Sequence, residues 1–299
     1  MGNTLSRGTL LPPVVTEQLF SKVKGKSSLA RLSASEPIPF NGETIFTFSL
    51  DNEVDLVAEN GAKSNGGATI APFTMQPVKV EYGFRVSDEF RYGTETVRLQ
   101  YLTAFADGFA KKVARGLDIM AIHGVNPRSK QKAAALNGKN FDDIVENIVI
   151  FDSSAPQDNI QAGIDLIGDE IDVTGLAIAP AMKSALAALK TAKDSNLPLF
   201  PELGWGSTLT SLNGLAADSN TTMSFNQSLD RALVGNFADY FKWGFAREIP
   251  IEVIEFGDPD NSGYDLKGHN QVYIRGEAYI GWGILDKDAF ALVKAGASA

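Results

Sequence analysis

Cysteine is absent from this chain, and histidine occurs only at His123 and His269. The first absence excludes disulfides, thiolate metal ligands and thiol nucleophiles, and it suits a reducing compartment. With so few imidazoles as well, a metal site would have to be built from oxygen ligands. No run of eighteen apolar residues occurs, so no membrane-spanning helix is expected. The polar stretch Gly2–Gly8 has no apolar segment of signal-peptide length behind it, so no export is expected either. Basic residues are in the minority, 27 against 36 acidic ones, for a net charge of −9. A protein that grips nucleic acid by neutralising phosphates carries the opposite balance. Short basic groups occur at Lys22, Lys24, Lys26 and Arg31, and at Arg128, Lys130 and Lys132. They read as solvated faces.

What is present is material for one elaborated domain or two small ones: 299 residues, 44% of them hydrophobic. The most telling segment is Thr94–His123, with Val97, Tyr101, Leu102, Phe105, Phe109, Val113, Leu117, Met120 and Ala121 spaced by three or four. Thr94 is the expected N-cap, Glu95 suits the first turn, and Gly124 suits the end. Such a helix is roughly 45 Å long, more than the diameter of about 40 Å expected for a compact domain of this size. It implies a flat, extended molecule that leaves surface for neighbours.

Residues 1 to about 36 read as an arm. Pro12-Pro13 stiffens the lead-in, Val14 to Val23 gives a short amphipathic helix ended by Gly25, and Leu29, Ala30 and Leu32 form a second apolar anchor. The arm is too short to bury itself and must lie on something else. Residues 43–90 read as a β-ribbon. Phe46 and Phe48 alternate in the outgoing strand, and Val78, Val80, Tyr82, Phe84 and Val86 in the returning one. The turn formers Glu59 to Gly67 supply its tip. A lone two-stranded ribbon is marginal in water, so it too needs a surface. Beyond the helix, strands are expected at Ile148–Phe151, Gly175–Ala179, Ala232–Asn236, Ile249–Glu255, Gln271–Trp282 and Phe290–Lys294. Helices are expected at Ile160–Glu170 and Pro180–Lys193. A loop rich in Pro, Gly and Trp spans Asn196–Gly206.

Catalytic equipment is sparse. No nucleophile-elbow pattern accompanies either histidine. His123 ends the long helix, where a cation is favoured, and reads as a capping group. The Asp258–Gly263 segment half-matches a calcium loop but has His269 where the twelfth-position Glu should stand, so it reads as a turn between strands. Gly204-Trp205-Gly206 and Gly281-Trp282-Gly283 lack the third glycine and the Lys-Ser/Thr of a phosphate loop. Asp142-Asp143 and Asp169-Glu170 read as helix-surface charges. No enzyme, metal or cofactor is expected; a hydrolase using His123 or His269 is the rival from another class.

The order of elements, with several local patterns, resembles the major capsid proteins of tailed bacteriophages, the Hong Kong 97-like fold. VKVEYGFRVSDEF (78–90) is similar to the ribbon strand leading to the long helix, and FAKKVARGLDIMAIHG (109–124) to that helix's end. STLTSLNGLAADSNTTM (207–223) carries Leu212, Gly214 and Ser219 at the family's spacing. ALVGNFADYFKWGF (232–245) has Asn236 where Asp is common, and REIPIEV (247–253) and VYIRGEAYIGWGILDKDAFALVK (272–294) resemble the final strands. The resemblance implies an α+β fold: an N-terminal arm (1–41), an extended hairpin or E-loop (42–90), a peripheral domain with a spine helix (91–149 and 258–299) and an axial α/β domain (150–257).

The resemblance further implies a subunit of an icosahedral phage head, assembled in the host cytoplasm. Hexamers and pentamers of it would enclose double-stranded DNA, held without sequence-specific contacts. An acidic wall would not impede packing of that DNA. An encapsulin-like nanocompartment of the same fold is the alternative. A separate scaffold, a portal and decoration proteins are the implied partners, with no membrane. Subunit-contact candidates are Glu59 and Lys63 at the ribbon tip, Lys79 and Arg85 on the returning strand, and Phe200 and Trp205 in the Leu197–Gly206 loop. Lys63 is also where some family members form a cross-link, but it reads as an exposed solubilising lysine. Only an arm precedes the ribbon, so no cleaved scaffolding region is expected.

Overall fold

In the computed structural model, residues 26–50, 52–192, 195–247 and 251–296 are described. The amphipathic helix expected at Val14–Val23 lies outside them. In chain order the first element is helix α1 (Ser28–Leu32), followed by strands β1 (Glu43–Leu50), β2 (Ala68–Met75) and β3 (Val78–Ser87). Helix α2 (Glu95–His123) is the long helix, and its ends are where the sequence places them. The Thr94 hydroxyl accepts from the Val97 N–H, and Gly124 closes the helix in the left-handed region at φ 62°. Burial along α2 is graded. From Leu102 to Ala114 one face is buried, and from Gly116 to His123 every residue is buried, whereas Val97, Leu99 and Tyr101 are exposed. The first turns of the apolar stripe are therefore left exposed by the described residues.

After α2 come α3 (Phe141–Ile144), β4 (Ile148–Phe151), α4 (Pro156–Ile167), β5 (Gly175–Ile178) and α5 (Pro180–Ala187). Then follow β6 (Ser211–Leu212), β7 (Leu215–Ser219), β8 (Asp230–Gly235), α6 (Phe237–Tyr240), β9 (Phe241–Arg247), β10 (Ile251–Ile254), β11 (Gln271–Ile284) and β12 (Phe290–Ala295). Helix α5 ends well before the expected Lys193. Three sheets result. β1 and β2 form an antiparallel ribbon; β11 pairs with β3, β10 and β9; and a mixed six-stranded sheet has the order β4-β12-β8-β5-β7-β6. One core joins α2 to both larger sheets, and a second lies between the six-stranded sheet and α4 and α5.

Two expectations need correcting here. The returning strand of the ribbon is β2, not Val78–Val86. Glu43 faces Met75 and Leu50 faces Ala68, while β3 runs antiparallel to β11 from Val78↔Ile280 to Ser87↔Gln271. Period-two alternation identifies a strand but not its partner. The last strand, expected with the peripheral segments, instead joins the six-stranded sheet between β4 and β8.

The second apolar anchor of the arm also lies on its own subunit: Leu29 and Ala30 are fully buried in the main core. The fixing point is Asp118 of α2, itself fully buried. Its carboxylate accepts from the Ser27 hydroxyl (2.5 Å), the Ser28 N–H (3.0 Å), the Leu29 N–H (3.3 Å) and the Thr222 hydroxyl (2.8 Å). Burial pushes its pKa up to about 6, against the opposing pull of these donors. Beyond α1 the chain runs along β9, with the Glu36 N–H donating to Trp243 carbonyl oxygen at 2.9 Å and the Ile38 N–H to that of Phe245 at 3.2 Å. This approach requires Gly244, because a Cβ there would lie 1.6 Å from the Glu36 carbonyl oxygen. Gly244→Ala is expected to displace residues 35–38 and cost about 1–3 kcal/mol in chemical denaturation. A stability equal to the parent's would remove the role given to this contact.

Candidate functional site

The apolar surface that this subunit leaves in solvent is concentrated on a few elements. On the ribbon, Phe46, Leu50 and Ile70 are 66%, 68% and 59% exposed. The register sets Phe46 opposite Pro72 and Leu50 opposite Ala68, so alternation places these four positions and Ile70 on one face. The connecting segment adds Val54 and Leu56, both almost wholly exposed, before a turn in which the Gly61 N–H donates to the Ala58 carbonyl oxygen at 2.8 Å. A second group is Tyr92, Val97, Leu99 and Tyr101 around the start of α2. A third is Leu197, Leu199 and Trp205. Scattered exposed apolar residues are ordinary, but whole elements presenting them mark interaction surfaces.

The sequence-derived contact candidates divide in two. Glu59 and Lys63 sit exposed beyond the ribbon strands. Trp205 is also fully exposed, and with Phe200, Ala187, Pro198 and Leu203 it lines a hollow of about 210 Å³. Phe200 packs against the second core as well. Lys79 and Arg85, by contrast, are engaged within the subunit. Lys79 pairs with Glu277 of β11 at 2.8 Å, which raises its pKa. Arg85 fills the Asp258–Tyr264 loop, donating to Asp258 (2.6 Å), Asp260 (2.6 Å) and the Tyr264 carbonyl oxygen (2.8 Å). Its hydrogen bond holds Asp260 down at about 2. The segment that half-matches a calcium loop thus encloses a guanidinium, and it connects β10 to β11 as a turn.

A charged group at the far end of α2 escaped the sequence reading. His123 Nδ1 faces Asp142 Oδ2 at 2.9 Å and Asp230 Oδ2 at 3.1 Å, and Nε2 faces the Thr222 carbonyl oxygen at 2.9 Å. All three partners accept, so both ring nitrogens carry protons and the ring is an imidazolium. Lys294 adds a second cation, 2.7 Å from Asp142 Oδ1 and 3.4 Å from Asp230 Oδ1. His123 is therefore an ion-pair centre as well as the end of a helix, and Asp142 is not a mere surface charge. One histidine and two carboxylates could in principle hold a metal ion. Here neither ring nitrogen offers a lone pair, and the protein's own two cations already balance the carboxylates.

Burial works against the charged form of His123, but the hydrogen bonds to Asp142 and Asp230 outweigh it and raise the pKa to about 9. A raised folded-state pKa means that this stabilisation is complete below pH 6.5 and is lost as the pH rises through about 9. His123→Asn is expected to cost about 3 kcal/mol at neutral pH, the usual cost of breaking a buried pair. It should also flatten the fall in melting temperature across that interval. Parallel pH profiles for the two proteins would show that the imidazolium is not the source.

Among the described residues no helix is long and apolar enough to cross a membrane. The model of the phage capsid family matches residues 7–295. A chain in a solved structure from Mycobacterium phage Ogopogo is 32% identical, covering 91% of this chain and 92% of that one with a TM-score of 0.75. One from Gordonia phage Cozz is 23% identical, with 91% and 87% covered and a TM-score of 0.73. The capsid of an empty GTA particle shares the fold at 14% identity, with 91% of this chain and 90% of that one covered and a TM-score of 0.65. No curated protein sequence matches. With the family's model spanning nearly the whole chain, and surface left bare on the elements that reach outward, this chain belongs to the phage capsid family and is a structural subunit of an icosahedral head.

Proposed function

We propose that copies of this subunit form hexamers and pentamers that close into a shell around double-stranded DNA. In this reading the ribbon, residues 43–75, reaches over a neighbouring copy. Residues 91–149 and 258–289 contribute to the peripheral wall, and residues 150–257 converge on the rotation axes together with the last strand, β12. The observation that carries the reading is the ribbon: it turns one apolar face to solvent and has no third strand among the described residues. Burying such a face is favourable by ~25 cal/mol per Å² of apolar area, and a closed shell offers that burial to every copy at once. Trp205 and its hollow serve contacts near the axes. Glu59 and Lys63, at the far end of the ribbon, meet the next subunit. Assembly in the host cytoplasm uses a separate scaffold and a portal, and decoration proteins attach outside.

Deleting Asn60–Gly67 is expected to leave the subunit folded by circular dichroism while electron microscopy shows shell formation impaired. Phe46→Asp should do the same at a stability cost within about 0.5 kcal/mol, as for other surface substitutions. Loss of folding in both variants would place the ribbon in the intramolecular core and refute the reading. Nucleic acid in purified particles is the expected content; packaged protein in its place would make the shell a nanocompartment.

A further inference from the structure

A cleft lies where the arm, the spine helix and the edge of the six-stranded sheet meet, and its charge is opposite to the molecule's. It has a volume of about 470 Å³ and is lined by Lys26, Arg31, Lys111, Arg115, Thr208, Asp218, Ser219 and Asn220. Four cations thus face one carboxylate, in a chain whose net charge is −9. Asp218 is already committed: it pairs with Arg31 and accepts from the Ser28 hydroxyl at 2.6 Å. Arg115 is steadied by donating to the Thr221 hydroxyl at 2.8 Å, with its guanidinium over the Phe225 ring. Lys26 and Lys111 are exposed, and neither forms an ion pair with a described residue. Read in sequence, Lys26 and Arg31 belong to a short basic group; folding brings them beside Lys111 and Arg115.

We propose that this cleft binds a phosphate group, whether of free inorganic phosphate or of a nucleic-acid backbone. The Arg115 guanidinium and two ammonium groups around a concave surface, with Arg31 held against Asp218 at its edge, suit a compact, multiply charged oxyanion. The hydroxyls of Thr208 and Ser219 add neutral donors for its remaining oxygens, while the Asn220 amide steadies the rim by donating to the Lys26 carbonyl oxygen at 3.2 Å. The lining offers no apolar anchor of the kind that a folded protein partner's hot spot would fill. A concave cationic site also gathers anions more strongly than the same charges on a convex face. The acidic remainder of the subunit then confines phosphate contact to this place.

The test measures two probes on the purified full-length protein: inorganic phosphate by ³¹P line broadening, and a short DNA duplex by fluorescence anisotropy at several salt concentrations. The variant is Lys26→Gln with Lys111→Gln, and the control is Lys112→Gln, next in the helix but outside the cleft. The double variant is expected to weaken binding about tenfold at low salt and to reduce the salt slope by about 0.9 for each lysine removed. The control should match the parent. Loss confined to inorganic phosphate identifies the free ion as the ligand, and loss of duplex binding identifies the nucleic-acid backbone; either supports the site. Lysine acetylation of the unmodified chain supplies a measurement that needs no variant, because phosphate or duplex should protect Lys26 and Lys111 but not Lys112. Absence of binding by both probes, an equal loss in the control, or uniform protection of all three lysines would overturn the proposal.

Discussion

A carboxylate sealed inside a helix must be supplied with donors, and the placement of the arm follows from that requirement at Asp118. The donors come from Ser27, Ser28 and Leu29 on one side and from Thr222 on the other, so one buried charge joins the arm, the spine and the segment after β7. Were these groups absent, the carboxylate would be stranded and the closed end of α2 could not be fully enclosed. The His123 cluster does comparable work one turn further on. It attaches the same helix end to α3 through Asp142 and to β8 and β12 through Asp230 and Lys294. The buried half of the spine is thereby pinned by polar contacts that have few alternative arrangements.

The other half of the spine is free of such constraints, and this asymmetry separates folding from assembly within one element. From Gly116 onward α2 is interior. Near its start, Val97, Leu99 and Tyr101 present an apolar surface that the described residues leave exposed. The ribbon repeats the arrangement, as it is anchored at Met75, which is buried, and bare at Phe46 and Leu50. A subunit built this way can fold from its own contacts and still retain a strong free-energy incentive to meet its neighbours.

Local features were legible in the sequence. The Thr94 cap, the stop at Gly124, the strand at Gln271 and the proline-led helix at Pro180 each follow from backbone chemistry within a few residues. Pairings were not, because alternation in Val78–Val86 is satisfied equally well by β2 or by β11. The charged groups were hidden for the same reason. His123 was readable as a helix end, but Asp230 lies far along the chain, and nothing local marks Asp142 as its partner. The Asp258–Gly263 loop was read as a turn between strands, but nothing local showed that its carboxylates surround Arg85, a residue on a distant strand. The family patterns supplied the overall order of elements that periodicity alone could not. They did not reveal that Lys79 and Arg85 form ion pairs within the subunit.

The central claim is that the bare ribbon and the open end of the spine are satisfied by other copies of this chain. Electron microscopy of the purified full-length protein, with light scattering across a range of concentrations, tests it most directly. The account predicts capsomers or closed shells in which solvent labelling no longer reaches Phe46, Leu50 and Tyr101. A monomer that persists at the highest concentrations with those side chains already shielded would contradict it.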